Sequence, residues 1–349
     1  MCLDQSILTA ILTLGPGHAS YRLDSIGVSG SRAWRAIVIV VKCKLGMASP
    51  DRCMLLPAFG HIAMRVHRGY KVFDFRRSEV TKVFDERVSM QESEAEIAAC
   101  EMASAVTAAP RYLRSDTGAA WYTEEYISGT HATDIVSPRS SDYLAHYQDV
   151  ETCLIELARC QAPVAVDAST HIARLADESY RERWTELGER SDDVHRITAY
   201  MGGLRTWLLD NTGSGSLQLI LTHGDFSLVN AISTKEELRI VDWEGIGLGS
   251  LFSDLFNFMF AEHFYGRTSP DFSTEVETVL GKFRDTVLSQ CPELSDAASL
   301  PVLLVRRMYY LERLRLLLDR EVSTNLLDVL CKSASMFSGF DNDVGDSPV

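Results

Sequence analysis

Apolar and polar positions alternate most clearly on either side of Arg76-Arg77-Ser78. Tyr70 to Phe75 come before this polar turn and Glu79 to Phe84 after it, and the period of two on both flanks predicts a β-hairpin. The period then changes. Ser89-Met90-Gln91-Glu92 has the form of a capping box, and the Ala-rich run Glu94 to Ala99 propagates a helix from it. Ala120 to Ile127 is an aromatic and β-branched strand closed by Ser128-Gly129, a turn signal. Beyond Gly129 the apolar spacing becomes helical: Val150, Leu154 and Leu157 share one face, and Trp184 to Leu187 and Ile197 to Leu209 form further amphipathic stretches. Leu228 to Ser233 and Leu238 to Val241 are apolar around the polar run Thr234 to Glu237, which reads as strand, turn, strand. Helices are predicted over Phe272 to Leu288 and Val302 to Leu318, the second carrying Arg306, Arg307, Arg313 and Arg315, which as helix arginines are expected to be solvated.

Composition agrees with a protein of about two compact parts: 349 residues, of which 46% are hydrophobic, suffice for sizeable cores. The formal charge of −14 is uneven. The first 130 residues carry 15 basic and 14 acidic side chains, so the net −15 of the remainder falls on the carboxy-terminal part. That argues against nucleic acid as a partner, because its phosphates need basic surface. It would suit a cationic ligand, although solubility accounts for it equally well. The eight cysteines form no Cys-x-x-Cys pair and no zinc spacing, and read as reduced thiols. No apolar run approaches the roughly 20 residues that span a bilayer. Leu8 to Leu14 lacks the basic flank of a signal peptide, having Asp4 there, so the cytoplasm is the expected compartment. Residues 1–65, including the apolar run Ala36 to Val41, suggest no role, and 339–349 read as a short, acidic, flexible tail.

The strongest chemical signal is His223-Gly224-Asp225 with Asn230 five positions after the Asp, followed by Asp242 at the end of the next apolar run. From average residue frequencies the first four residues alone should arise in a chain this long on the order of one time in a thousand. A four-residue turn at Thr234 to Glu237 pairs Ser233 with Leu238, and counting back sets Asn230 opposite Val241, beside Asp242. Cross-strand Cβ atoms lie roughly 4.5–5.5 Å apart, so Asn230 and Asp242 are candidates to chelate one hard cation. Magnesium takes one or two protein oxygens and the rest from water and substrate phosphates. Asp225, in the preceding loop, stands back from the metal and is placed to orient an attacking hydroxyl.

These residues resemble the aminoglycoside phosphotransferase and choline kinase family, a branch of the protein-kinase-like fold. By that resemblance Asp225 is the catalytic-loop Asp, with His223 of the same motif counted among the catalytic residues. Asn230 and Asp242 are magnesium ligands, Asp-Trp-Glu standing where protein kinases carry Asp-Phe-Gly. Leu251-Phe252-Ser253-Asp254-Leu255 looks like the family segment in which an Asp braces the catalytic loop, so Asp254 is expected to be structural support. The implied fold is α+β and bilobal: a small β-rich amino-terminal lobe over 66–128 with a hinge at its end, and a larger, mostly helical lobe over 129–338 holding the catalytic loop and acceptor pocket.

The resemblance requires a strand lysine, a helix glutamate and a hinge in that order, and candidates stand in that order. Lys82 and Val80 share one strand face, offering an ammonium to phosphates and an apolar lid to adenine. Lys82 alone would pass for an ordinary exposed lysine. Glu94 matches the family position of the lysine's partner and Glu96 is the alternative. The two lie about 200° apart around a helix, so only one can face the lysine. The backbone of Glu125, Tyr126 and Ile127 is the implied adenine-binding hinge. No Gly-x-Gly-x-x-Gly precedes Lys82, Gly60 and Gly69 being the glycines at hand, so the loop over the phosphates must be shorter or replaced by other donors.

The expected function is therefore transfer of the γ-phosphoryl group of Mg-ATP to a hydroxyl of a small-molecule acceptor of sugar, aminoglycoside or amino-alcohol type. A nucleotide-binding pseudokinase serving as a regulatory or scaffold module is the alternative. A protein kinase proper is disfavoured, because 11 residues between Asp242 and Asp254 are too few for a regulated activation segment.

Overall fold

The structure is a computed structural model. It describes residues 62–343 apart from 67, 117, 119, 135–139, 178–183, 185–190, 214 and 320–323. Ala36 to Val41, residues 185–187 of the stretch that begins at Trp184, and the end of the acidic tail lie outside the described residues. The described residues form two compact units: one joins those before residue 135 with Leu228–Ile246, the other joins those from 140 to 227 with those from 247 to 343. The hairpin after the His-Gly-Asp motif thus belongs with the amino-terminal sheet, although by sequence position it fell inside the expected carboxy-terminal lobe.

The first unit is built on a five-stranded antiparallel sheet in the order β1-β2-β3-β5-β4: β1 Ile62–Val66, β2 Gly69–Asp74, β3 Glu79–Phe84, β4 Tyr112–Ser115 and β5 Trp121–Glu125. The expected hairpin is present, Asp74 pairing with Glu79 and Lys71 with Lys82. Alternation along β3 divides its side chains between two faces. Val83 packs with Ala63, Val72 and Trp121 on one. On the other, Phe84 packs with Tyr122 and with Cys100 of helix α1 (Met90–Ala103). Helix α1 begins as its sequence demands: Ser89 Oγ accepts from the Glu92 N–H at 3.3 Å, and Glu92 Oε2 accepts from the Ser89 N–H at 3.0 Å. Such a cap is worth about 1 kcal/mol.

A small second sheet, order β10-β9-β6, combines β6 (Thr130–His131), β9 (Ala231–Ser233) and β10 (Leu238–Ile240). Ser233 pairs with Leu238 as counted from the turn. The first of these two later strands is shorter than its apolar pattern suggests, since Leu228–Asn230 forms a 3₁₀ turn. Gly129 has a packing reason: a Cβ there would lie 2.4 Å from the Ser233 carbonyl oxygen.

The second unit is mostly helical. Its sheet, order β11-β8-β7, is made of β7 (Val164–Asp167), β8 (Ser216–Thr222) and β11 (Gly247–Ser250). Around it stand α2 (Tyr147–Cys160), α3 (Ala168–Leu175), α4 (Ser191–Thr212), α5 (Ser253–Phe264), α6 (Phe272–Gln290), α7 (Ser295–Ala298), α8 (Val302–Leu318) and α9 (Thr324–Asp343). Val150, Leu154 and Leu157 are all buried, as their spacing requires. Phe256 and Phe260 of α5, Tyr309 and Tyr310 of α8, and Phe337 and Phe340 of α9 form one aromatic core. Burying each ring contributes about 1.5–3 kcal/mol.

Two expectations fail in this unit. The tail does not begin at Gly339: α9 runs on to Asp343, because Phe340 enters the aromatic core and Asp341 is buried against α8. Nor are Arg306 and Arg307 of α8 solvated. Asp341 binds Arg306 at 2.9 Å and Arg307 at 3.0 Å, and both guanidiniums lie over rings, those of Phe340 and Trp207. The cost of burying these charges is offset by mutual pairing and by the delocalised guanidinium's tolerance of aromatic faces.

Candidate active site

In the second unit β8 delivers the chain into His223-Gly224-Asp225. Gly224 has φ of 79°, a left-handed conformation in which glycine is unstrained. Asp254, in the first turn of α5, accepts hydrogen bonds from the His223 N–H at 2.6 Å and the Gly224 N–H at 3.0 Å. Burial pushes its carboxyl up to about 6, partly countered by His223 and the two backbone donors. The bracing geometry expected of Asp254 is thus present. Asn257, one turn further along α5, donates to the Phe226 carbonyl at 2.8 Å and holds the far side of the loop.

His223 is fully buried and its Nδ1 accepts from the Asp225 N–H at 3.2 Å. The ring shapes the loop from inside. In this conformation the ring is not exposed to solvent. Asp225 itself is partly exposed, and Arg313 of α8 donates from Nη1 to its Oδ1 at 2.9 Å. Arg313 escapes a sequence reading because its partner is 88 positions away.

In the first unit, the Val241 N–H donates to the Asn230 carbonyl at 2.8 Å, so the Asn230–Val241 pairing counted from the turn is realised and Asp242 follows at once. Asp242 has φ of 70° and ψ of 53°, a left-handed conformation uncommon outside glycine. The strain turns the chain sharply into the 3₁₀ turn Trp243–Gly245, and buried Trp243 donates to the Ile240 carbonyl at 2.7 Å to fix it. Arg239 ties the hairpin to the residues before β4 through the Ala108 and Ala109 carbonyls.

Lys82 is only 1% exposed and pairs with Glu96 at 2.7 Å and with Glu244. Glu94, the first expectation, is exposed; the alternative Glu96 faces the sheet because it lies on the buried helix stripe with Ser93, Cys100 and Ala103. Burial raises the Glu96 carboxyl above its ordinary range, with Lys82 pulling it back, and Tyr122 OH donates to it at 3.3 Å. Glu244 was not singled out by sequence, although it stands two residues beyond Asp242. Lys71 was missed too: its Nζ lies 3.1 Å from Asp242 Oδ1 and 3.9 Å from Glu124 Oε1. One sheet face thus gathers Lys71 and Lys82 with Glu96, Glu124, Asp242 and Glu244, a formal surplus of two negative charges. Among the described residues no group of three or more His, Cys, Asp and Glu is placed to hold a metal ion; a hard cation here would take protein oxygens from Asn230 and Asp242 and the rest from water and phosphate.

Val80 is buried two residues before Lys82 on the same face, as expected. The hinge is only partly open. The Glu125 N–H donates to the Arg111 carbonyl and the Tyr126 N–H to the Ser78 carbonyl, each at 2.9 Å, so two of the three candidate amides are committed within the protein. The Tyr126 ring packs on Phe73 and Phe75.

A profile of a phosphotransferase enzyme family matches residues 67–284, more than half of the chain, which takes in the Lys82 cluster and the His223–Asp254 loop but not Arg313. The chain belongs to this phosphotransferase family. Its solved structural neighbours include a choline kinase from Cryptosporidium parvum Iowa II, at 13% identity and a TM-score of 0.54, covering 82% of this chain and 91% of the other. A second is a thermostable mutant of aminoglycoside phosphotransferase APH(4)-Ia in a ternary complex with AMP-PNP and hygromycin B, at 15% identity and a TM-score of 0.50, covering 81% and 92%. These likenesses establish for this phosphotransferase the protein-kinase-like fold, with a β-rich amino-terminal part and a mostly helical remainder. No curated protein matches its sequence. By family it is a small-molecule kinase, and no helix among its described residues is long and apolar enough to cross a membrane.

Proposed function

We propose that this phosphotransferase moves the γ-phosphoryl group of ATP, in the presence of Mg2+, onto a hydroxyl of a sugar, aminoglycoside or amino alcohol. The observation that carries the reading is the buried Lys82–Glu96 pair beside Asp242 and Glu244, an arrangement of charge on one sheet face that a simple structural lysine does not need. In this reading Lys82 meets the phosphates, Val80 covers the adenine, and the backbone groups of the hinge at Glu125 to Ile127 other than the committed Glu125 and Tyr126 amides meet its edge. Mg2+, held by Asn230 and Asp242, would neutralise phosphate charge. Asp225 accepts a hydrogen bond from the acceptor hydroxyl and takes its proton as that oxygen bonds to the γ-phosphorus, while the bond to the β–γ bridging oxygen breaks and ADP departs. Arg313 is a positioning residue that fixes the Asp225 carboxylate toward the acceptor, and Asp254 holds the loop beneath it. Phosphoryl transfer asks mainly for such positioning and electrostatics. Dependence on ATP makes the cytoplasm the natural compartment.

The test is transfer of label from γ-labelled ATP, with magnesium, into pools of sugars, aminoglycosides and amino alcohols, using Asp225→Ala as the blank. Label in a product absent from the blank supports the proposal, and the product's mass names the acceptor class. Nucleotide binding without transfer to any pool would favour the regulatory-module alternative.

A further inference from the structure

Arg313 meets the catalytic loop through one nitrogen. Its Nη1 donates to Asp225 Oδ1 at 2.9 Å and stands 3.5 Å from the Gly224 carbonyl oxygen. A guanidinium that grips a carboxylate with both arms fixes the geometry by itself, whereas a one-nitrogen contact takes its direction from the backbone behind it. The pairs of Arg306 and Arg307 with Asp341 tie α8 to α9, but Arg307 precedes Arg313 by two turns, about 9 Å along the helix axis. One turn before Arg313, the Tyr309 hydroxyl makes a longer contact, 3.4 Å from Asn257 Oδ1.

The anchor beside Arg313 is Glu312, whose side chain is 10% exposed. Its Oε1 accepts from the Ser250 N–H at 3.0 Å and its Oε2 from the Ser250 hydroxyl at 2.8 Å. Ser250 ends β11, which runs antiparallel to β8, the strand that delivers His223. Four residues later Asp254 takes the His223 and Gly224 amides. Glu312 thus holds one end of a short stretch whose other end braces the catalytic loop. From α3, His171 Nδ1 accepts from Arg174 at 3.3 Å, and its Nε2 lies 3.5 Å from Glu312 Oε1 with no hydrogen bond between them. Among the described residues, Ser250 therefore supplies the hydrogen bonds of this carboxylate. Successive helix residues project about 100° apart, so any rotation of α8 that Glu312 ceases to resist swings Arg313 through the same angle.

We propose that Glu312 is a positioning residue for phosphoryl transfer, whose hold on Ser250 sets the rotation of α8 that directs Arg313 onto Asp225. This rests on the phosphotransfer reading of Asp225 given above. A strut that merely joined α8 to β11 would contribute stability and leave the rate alone. Positioning acts through Arg313, and losses at groups that act as a unit do not add.

The experiment measures single-turnover transfer from γ-labelled ATP, with magnesium, into the pool of sugars, aminoglycosides or amino alcohols that wild type labels. The full-length variants are Glu312→Gln, Arg313→Ala and the two combined, each also titrated calorimetrically with Mg-ATP. Glu312→Gln should slow transfer roughly 10-fold at unchanged Mg-ATP affinity, and should add less than about twofold to the loss in Arg313→Ala. Ser250→Ala removes one of the two hydrogen bonds and should slow transfer roughly threefold with the same non-additivity, which keeps the test open if Glu312→Gln does not fold. A wild-type rate in folded Glu312→Gln would overturn the assignment. So would a full second loss in the Arg313→Ala background, or a parallel fall in Mg-ATP affinity, either of which would make Glu312 a general strut. Failure of wild type to label any pool would instead remove the phosphotransfer reading itself, and this inference with it.

Discussion

Two clusters of buried charge, one in each unit, look alike in outline and differ in what they are for. In the second unit Arg306 and Arg307 close on Asp341, which is 1% exposed, and aromatic rings cover the guanidiniums. In the first, Lys71 and Lys82 face Glu96, Glu124, Asp242 and Glu244, and two of those carboxylates keep an open edge: Asp242 is 40% exposed and Glu244 26%. The Arg–Asp cluster is closed, and ring faces cover its guanidiniums. The Lys–carboxylate cluster is unbalanced by two negative charges and open on the side of its metal-ligand candidate. Burial with closure marks an element that holds the fold together; burial with surplus charge and an open carboxylate marks a place for a ligand.

The largest effect expected from this contrast is on stability. Asp341→Ala removes the buried carboxylate that pairs with both Arg306 and Arg307, and denaturant unfolding should show a loss of about 3–5 kcal/mol with nucleotide affinity unchanged in the folded fraction. A parallel loss of affinity would mean that the closed cluster is not purely structural. Next comes Glu96→Ala, which leaves Lys82 with Glu244 alone and should cost about 2–3 kcal/mol while also weakening nucleotide binding. Glu94→Ala, on the exposed side of α1, should stay within about 0.5 kcal/mol of wild type. Equal effects of the two would contradict the assignment of Glu96.

A smaller effect, on rate, is expected at Arg313. Arg313→Ala should lower kcat by roughly 10- to 100-fold, leave KM for the nucleotide unchanged and be partly rescued by Arg313→Lys. A rise in KM at constant kcat would exclude a positioning role toward Asp225. A further effect, on pH dependence, is expected at Asp254, whose folded-state pKa of about 6 is above the ordinary 3.8. A raised carboxyl pKa means that the folded state binds more protons over that interval. The group's contribution to stability is therefore fully present below the ordinary value and is lost as pH rises through about 6. Relative to Asp254→Asn, wild type should lose stability between roughly pH 4 and 6, measurable by urea unfolding across that range.

Legibility in the sequence followed locality. The β2–β3 hairpin and the Asn230–Val241 pairing were readable because a short polar turn fixes register and alternation fixes faces. The same count would have found Lys71, which the hairpin sets directly opposite Lys82. The choice of Glu96 over Glu94 was also present, in the stripe Ser93, Glu96, Cys100 and Ala103, but a family position spoke for the other residue. Phe340, three residues after Phe337, carried the signal that α9 continues. What local pattern could not supply were partners far apart in the chain: Arg313 for Asp225, Asp341 for the α8 arginines, and the Ser78 and Arg111 carbonyls that occupy hinge amides. Such contacts depend on how elements pack, and one sequence does not record that.

The most direct test of the account separates the labours of the two regions. Mg-dependent ATP affinity and single-turnover phosphoryl transfer should be measured side by side on Asp225→Ala and Asp242→Ala. The account predicts that Asp225→Ala keeps wild-type affinity and loses transfer by at least about 1,000-fold, while Asp242→Ala loses affinity and its magnesium dependence. Transfer at the wild-type rate in Asp225→Ala, or unchanged magnesium-dependent affinity in Asp242→Ala, would contradict it.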